Sequence, residues 1–275
     1  MNSNSINIDF EVPKIMGILN ITPDSFFDGG KYLDKNNWSL QVSKMIEEGV
    51  DIIDIGAIST RPGSEFISEQ QEIDRLCPVL ETLAKEFPQM LFSVDTFRSK
   101  VARHALDYGV EIINDVYGGT FDPEIYNLVK DKGVYYVMMH IKGDPKNMQI
   151  NPIDKNITSK VISFFDTQLA LFNPSAGYDK LILDPGFGFG KSLEANYELL
   201  KEMPRLHKFN LPLLVGVSRK SMINKVLNVT PNEALNGTTV LNTMALMNGA
   251  KILRVHDVKE AVQVRELYRA YQGKC

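Results

Sequence analysis

The chain has 275 residues, enough for one or two domains and close to the roughly 250 of a single α/β barrel. With 44% hydrophobic and 23% charged residues it can bury a large core, and its net charge of −4 gives no pull toward nucleic acid or an anionic membrane. Two cysteines, Cys77 and Cys275, exclude a disulfide framework and fit a reduced, cytoplasmic setting.

The first residues lack the basic and apolar stretches of a secretory signal, and runs such as Leu211–Val217 fall far short of the about 18 residues of a membrane span. Residues 1–12 are too few for a strand–helix unit and are expected to close the bottom of whatever follows. Eight short runs rich in Val, Ile and Leu then succeed one another: Lys14–Leu19, Val50–Ile55, Met90–Val94, Val110–Ile113, Val134–Met139, Lys180–Leu183, Leu211–Val215 and Ala250–Val255. Continuous apolar runs of this length suit parallel strands buried on both faces. Helical spacing lies between them, as in Trp38–Glu48, Glu69–Glu86, Ser99–Tyr108 and Asn196–Lys208. Gly49, Gly109, Gly133 and Gly249 stand as helix stops before the next strand. Eight strands alternating with helices predict one (β/α)8 TIM barrel spanning 1–275; a doubly wound sheet, the competing fold, normally uses fewer strands.

Polar residues follow the strands. Strand one runs into Asn20, strand two into Ser59-Thr60-Arg61, strand three into Asp95, and strand four into Asn114-Asp115. Strand six ends at Asp184, strand seven leads to Ser218-Arg219-Lys220, and strand eight to Arg254 and His256. In a barrel all of these share the C-terminal rim, where active sites are built.

The stretch Asp184-Pro-Gly-Phe-Gly-Phe-Gly-Lys-Ser192 imitates two nucleotide motifs and satisfies neither. A P-loop needs glycine where Pro185 stands, and the dinucleotide fingerprint needs its third glycine at Lys191. Its glycines are read as letting Phe187 and Phe189 wall a planar ligand. His104, His140, His207 and His256 show no paired metal spacing, and His104 and His207 read as surface residues. Mg²⁺ on a ligand's phosphates needs few protein groups, and Asn20 or Asp28 could supply them. Neither cysteine has the surroundings of a nucleophile, and Lys142, Lys146 and Lys191 read as solvated or loop charges. Asp95, Asn114, Asp184 and Lys220 suit a flat heterocycle with a guanidine-like edge and a carbonyl. Arg61, Arg254, His256 and Asn20 suit a phosphate or diphosphate.

At these positions the sequence resembles the dihydropteroate synthase family, the folate-pathway enzymes targeted by sulfonamides. The resemblance rests on Met16-Gly-Ile-Leu-Asn-Ile-Thr-Pro-Asp-Ser-Phe26, Asp28-Gly-Gly30, Ser59-Thr-Arg-Pro-Gly63, Ser93-Val-Asp-Thr96 and Ile112-Ile-Asn-Asp115. It continues through Leu183–Lys191, Leu211–Met222 and Arg254-Val-His-Asp-Val258. It implies condensation of 6-hydroxymethyl-7,8-dihydropterin diphosphate with p-aminobenzoate, with Mg²⁺, by an SN1-like route in a homodimer. It places Asp95, Asn114, Asp184 and Lys220 on the pterin. Arg254 covers the ring and joins Val255, His256 and Asn20 near the diphosphate, with Asn20 as the metal-side residue. Thr60, Arg61, Pro62, Phe187, Phe189 and Ser218 shape the p-aminobenzoate side. The loops Thr22–Lys35 and Thr60–Phe66 close over the site, with Asp28 beside the Mg²⁺-diphosphate. Ile58, where the family usually has Glu, and Phe27 depart from the pattern. The alternatives are a methyltetrahydrofolate methyltransferase-type barrel, with no reason to keep Arg61 and Ser218, and a non-catalytic pterin-binding barrel, expected to have lost Asp28, Arg61 or His256.

Overall fold

Every apolar run becomes a strand, and all eight strands pair in parallel. The computed structural model describes residues 7–21, 35–56, 67–144, 148, 150–173 and 179–274. The strands are β1 (Lys14–Asn20), β2 (Ile52–Gly56), β3 (Leu91–Asp95), β4 (Ile112–Asp115), β5 (Tyr135–Met139), β6 (Leu181–Asp184), β7 (Leu214–Val215) and β8 (Ile252–Val255). Their order is β6-β5-β4-β3-β2-β1-β8-β7. A parallel bridge between Leu183 and Leu213 joins the two ends into a barrel.

Around it run α1 (Lys35–Glu47), α2 (Glu69–Glu86), α3 (Ser99–Asp107), α4 (Glu124–Lys132), α5 (Ile157–Phe172), α6 (Leu193–Glu202), α7 (Ser221–Leu227), α8 (Leu235–Met247) and α9 (Val258–Tyr271). The four stop glycines all adopt left-handed backbone, the conformation that ends a helix at little steric cost. At the other end of α2, Ser68 and Gln71 close a reciprocal capping box.

Two expected elements are altered by proline. The helix expected over Asn196–Lys208 begins earlier, at Leu193 after the Ser192 cap, and gives way at Met203 to a 3-10 turn over Met203–Phe209. Pro204 has no N–H to continue the α-helical ladder. The strand expected over Leu211–Val215 shrinks to Leu214–Val215, because Pro212 joins its neighbour only through its carbonyl, which accepts from Leu183 N at 2.9 Å.

Alternation along the strands decides what the barrel encloses. On β8, Ile252 and Arg254 share one face, whereas Leu253 and Val255 pack outward into the large core beneath the helices. On β2, Ile53 and Ile55 face the helices, which leaves Ile52 and Asp54 inside. The same count puts Asn114 above Ile112 and Asp184 above Ile182. Met16, Ile52, Ile112, Tyr135, Val137, Ile182, Leu214 and Ile252 fill the base, with Ile8 among them. Ile8 donates its N–H to Tyr135 Oη at 2.8 Å, and the Phe10 ring meets Tyr135 edge-on. The enclosed column is apolar below and charged above.

Candidate active site

Arg254 organises the charged layer. Its Nε donates to Asp54 Oδ2 at 2.7 Å, and its Nη2 lies 2.6 Å from the same oxygen and 3.0 Å from Asp95 Oδ2. Asn114 Nδ2 donates to Asp54 Oδ2 at 3.0 Å. Four side chains from β2, β3, β4 and β8 thus form one network. Burial pushes the Asp95 carboxyl up to about 7 even though Arg254 pulls it down.

Asp54 is the residue sequence reasoning missed. It was hidden inside a run read as continuously apolar, yet it lies two positions above inward-facing Ile52 on the same strand. Its Oδ1, and the Ser93 hydroxyl that faces it in the β2–β3 register, are buried with no hydrogen-bond partner among the described residues.

A second group surrounds the loop after β6. Asp184 Oδ1 accepts from Gly186 N at 2.7 Å, and burial raises its carboxyl while Lys220 opposes the rise. Lys220 Nζ donates to the Phe187 carbonyl and lies 4.6 Å from the centre of the Phe189 ring. Burial brings the Lys220 ammonium down to about 8, with Asp184 acting against that shift. The glycines let this loop lie against its neighbours: a Cβ on Gly186 would overlap the His140 carbonyl, and one on Gly190 the Lys142 carbonyl. Phe187 is fully buried in the large core, so its ring supports the loop from behind. The partly exposed Phe189 is the ring left beside the mouth.

The third group is a pair. Ser218 Oγ lies 3.0 Å from His256 Nδ1 and accepts from the His256 backbone N–H at 3.2 Å. The hydroxyl proton can then go to Nδ1, which leaves Nε2 as a ring donor for an anion. Val255, buried and turned toward the helices, contributes backbone rather than a side chain. Asn20 ends β1 level with Gly56 of β2.

Three rim or loop residues take other duties. Asp115 faces outward and accepts from Tyr136 Oη and from the N–H groups of Tyr117 and Gly119, fixing the turn after β4. Arg219 has left-handed backbone, φ 56°, and pairs with Asp257, so it ties the β7 loop to the β8 loop. Lys191, expected to be a solvated or loop charge, is instead buried, because three backbone carbonyls surround its ammonium. His104 and His207 are exposed as expected. Asp28, Thr60, Arg61 and Pro62, with Phe27, Ile58 and Lys146, lie outside the described residues.

The profile of the pterin binding enzyme family matches residues 16–256. Dihydropteroate synthase of Escherichia coli K12 is 42% identical over 265 residues, 96% of this chain and 93% of that protein. A Yersinia pestis dihydropteroate synthase solved with a sulfonamide drug complex superposes with a TM-score of 0.90 at 40% identity, covering 99% of both chains. A Xanthomonas albilineans dihydropteroate synthase in complex with 7,8-dihydropteroate superposes with a TM-score of 0.85 at 33% identity, covering 96% of this chain and 95% of that one.

The network makes Asp54 the residue whose loss should cost the fold most. Removing it strips Arg254 and Asn114 of a shared acceptor while Arg254 keeps Asp95, so the cost is that of unsatisfied buried donors, on the order of 1–3 kcal/mol. Asp54→Ala is expected to lower the unfolding free energy by that order in urea titrations, and Asp54→Asn, which keeps an acceptor for Arg254, by clearly less.

Proposed function

The chain belongs to the pterin binding enzyme family, and we propose that it catalyses the dihydropteroate synthase reaction, with the rim residues dividing the work as follows. The observation that carries this assignment is the buried Asp95–Arg254–Asp54–Asn114 network, with Asp184 and Lys220 completing the same mouth.

Asp95 and Asp184 accept from the guanidine-like edge of the pterin, Asn114 supplies both an acceptor and a donor, and Lys220 donates to the ring carbonyl. Arg254 lies over the ring and faces the anion side, where His256 and Asn20 meet the diphosphate, joined by Arg61 from its loop. The C–O bond to diphosphate breaks first, the electron pair leaving with the oxygen. The remaining pterin-methylene cation is stabilised by the carboxylates of Asp95 and Asp184. The aryl amine of p-aminobenzoate, held beside Phe189 by Thr60, Arg61, Pro62 and Ser218, forms the new C–N bond and releases a proton. No strong general base is required, since the electrophile is already a cation.

Mg²⁺ fits this site as a hard ion that takes most of its oxygens from water and phosphate. Asn20 offers a carboxamide oxygen at the C-terminal end of β1, beside Gly56 of β2, whose lack of a side chain leaves that oxygen uncrowded. Among the described residues no group of three or more His, Cys, Asp or Glu could cage a metal. Asn20 would therefore hold the ion together with Asp28 and the substrate's own phosphates. When bound, it neutralises charge on the departing diphosphate.

The same reading takes the chain as one barrel domain whose first residues close the base, working in the cytoplasm. Ile8 packing into the base and the free thiol of Cys77 support it, and no described helix is long and apolar enough to cross a membrane. It also takes the chain as a homodimer, supported by an exposed apolar face. Val240, Met244 and Met247 follow one another at helical spacing on α8, flanked by Val226 and Leu227 on α7 and Leu267 and Tyr271 on α9.

The reaction is tested by following diphosphate release, which should require the pterin diphosphate and p-aminobenzoate together; release with neither or one alone at the full rate overturns it. Within that assay the two halves of the rim separate. His256→Ala should lower kcat by roughly 10–10³-fold, the range for losing a donor to developing charge, and leave affinity for a pterin without diphosphate near wild type. Asn114→Ala should weaken the bare pterin itself, as calorimetry would show. For the dimer, a Val240→Glu, Met244→Glu double variant should sediment as a monomer where the parent sediments as a dimer.

A further inference from the structure

The loop between β6 and α6 is wound around an ammonium group that the reaction does not use. Lys191 Nζ donates to Gly186 O at 2.6 Å, to Phe189 O at 3.2 Å and to His140 O at 3.3 Å. Three N–H donors meet three backbone carbonyls, and among the described residues no carboxylate forms an ion pair with it. Burial pushes the Lys191 ammonium well below its ordinary range while Asp184 acts against that shift, so a cation held there is costly and calls for a compensating role. The negative ends of three carbonyl dipoles converge there from separate stretches: the end of β5, the start of the loop and the position that bears the Phe189 ring. Without a cation between them they would repel one another.

The consequences run directly to the mouth. Gly186, whose carbonyl Lys191 holds, also gives its N–H to Asp184. Phe189, held the same way, carries the ring over which Lys220 Nζ lies, and Lys220 in turn donates to Phe187 O. His140 itself is buried, and burial keeps its imidazole neutral, down to about 2, so its carbonyl rather than its ring serves the loop. We infer that Lys191 is a positioning residue: by gathering the carbonyls of His140, Gly186 and Phe189 it sets the Phe189 ring in register for the aryl amine. This rests on the assignment of Phe189 to the p-aminobenzoate side.

Steady-state kinetics with both substrates tests it. Lys191→Met keeps the stem and removes the cation; it should raise KM for p-aminobenzoate tenfold or more while kcat and KM for the pterin diphosphate stay within threefold. Lys191→Arg, which keeps a cationic donor, should recover part of that loss. Unchanged KM for p-aminobenzoate in Lys191→Met overturns the inference, as does an equal rise in both KM values together with a lowered unfolding midpoint, the mark of a merely structural lysine. Should Lys191→Met not fold, Lys191→Gln takes its place under the same criteria, and wild-type constants there also overturn it. Phe189→Ala separates the two levels. If it leaves KM for p-aminobenzoate unchanged, the assignment of the aryl side fails; if it raises KM while the Lys191 variants do not, only the role of Lys191 fails.

Discussion

One guanidinium shared between two carboxylates holds the mouth of this barrel together. Asp54 and Asp95 stand on neighbouring strands, near enough that the Asp54 charge raises the cost of ionising Asp95. Arg254 reaches them from 200 and 159 residues away in sequence, so the network exists only once β8 has come round beside β1. Local propensity cannot assemble such a cluster. Closure of the sheet does it, and the apolar base of the barrel, from Met16 to Ile252, supplies the burial that makes closure favourable.

That arrangement opposes stability. The Asp95 carboxyl titrates near 7 in the folded chain and near 3.8 when solvated, so between those values the native state holds more protons than the unfolded one. Stability contributed by this group is therefore lost as pH rises through that window. Near neutral pH the mouth is charged, dehydrated and only partly compensated, with Asp54 Oδ1 and the Ser93 hydroxyl still lacking partners among the described residues. A ligand that brings N–H donors relieves that cost, which is a physical reason for carboxylates to sit where burial penalises them.

The strands and the rim were legible because both follow from periodicity: eight apolar runs, seven of them leading to named polar residues at the same end. What escaped was information that needs the third dimension. Asp54 lay within an apolar run, and only the two-residue alternation from Ile52 marks it as inward-facing. Arg219 and Asp115 sit where rim residues should, yet their partners, Asp257 and Tyr136, are supplied by other elements and turn them to structural work. Val255 and Phe187 were placed at the ligand from their position in motifs, whereas strand alternation and core packing turn their side chains away. Pro204 and Pro212 were visible in the sequence and could have shortened the expected helix and strand.

Lysine was misread for a more general reason. A Lys after a glycine-rich stretch suggests a phosphate, and failing that, solvent. Here Lys191 ends on the backbone carbonyls of three residues instead. One of the three carbonyls on Lys191 belongs to Gly186, and Gly186, Gly188 and Gly190 all have positive φ, which lets the loop curl around the cation. The glycines of this motif therefore serve inward-pointing oxygens, whereas a phosphate cradle would need inward-pointing N–H groups. The same glycine-rich composition can present either polarity, and which one a loop presents is decided by the charge that sits inside it.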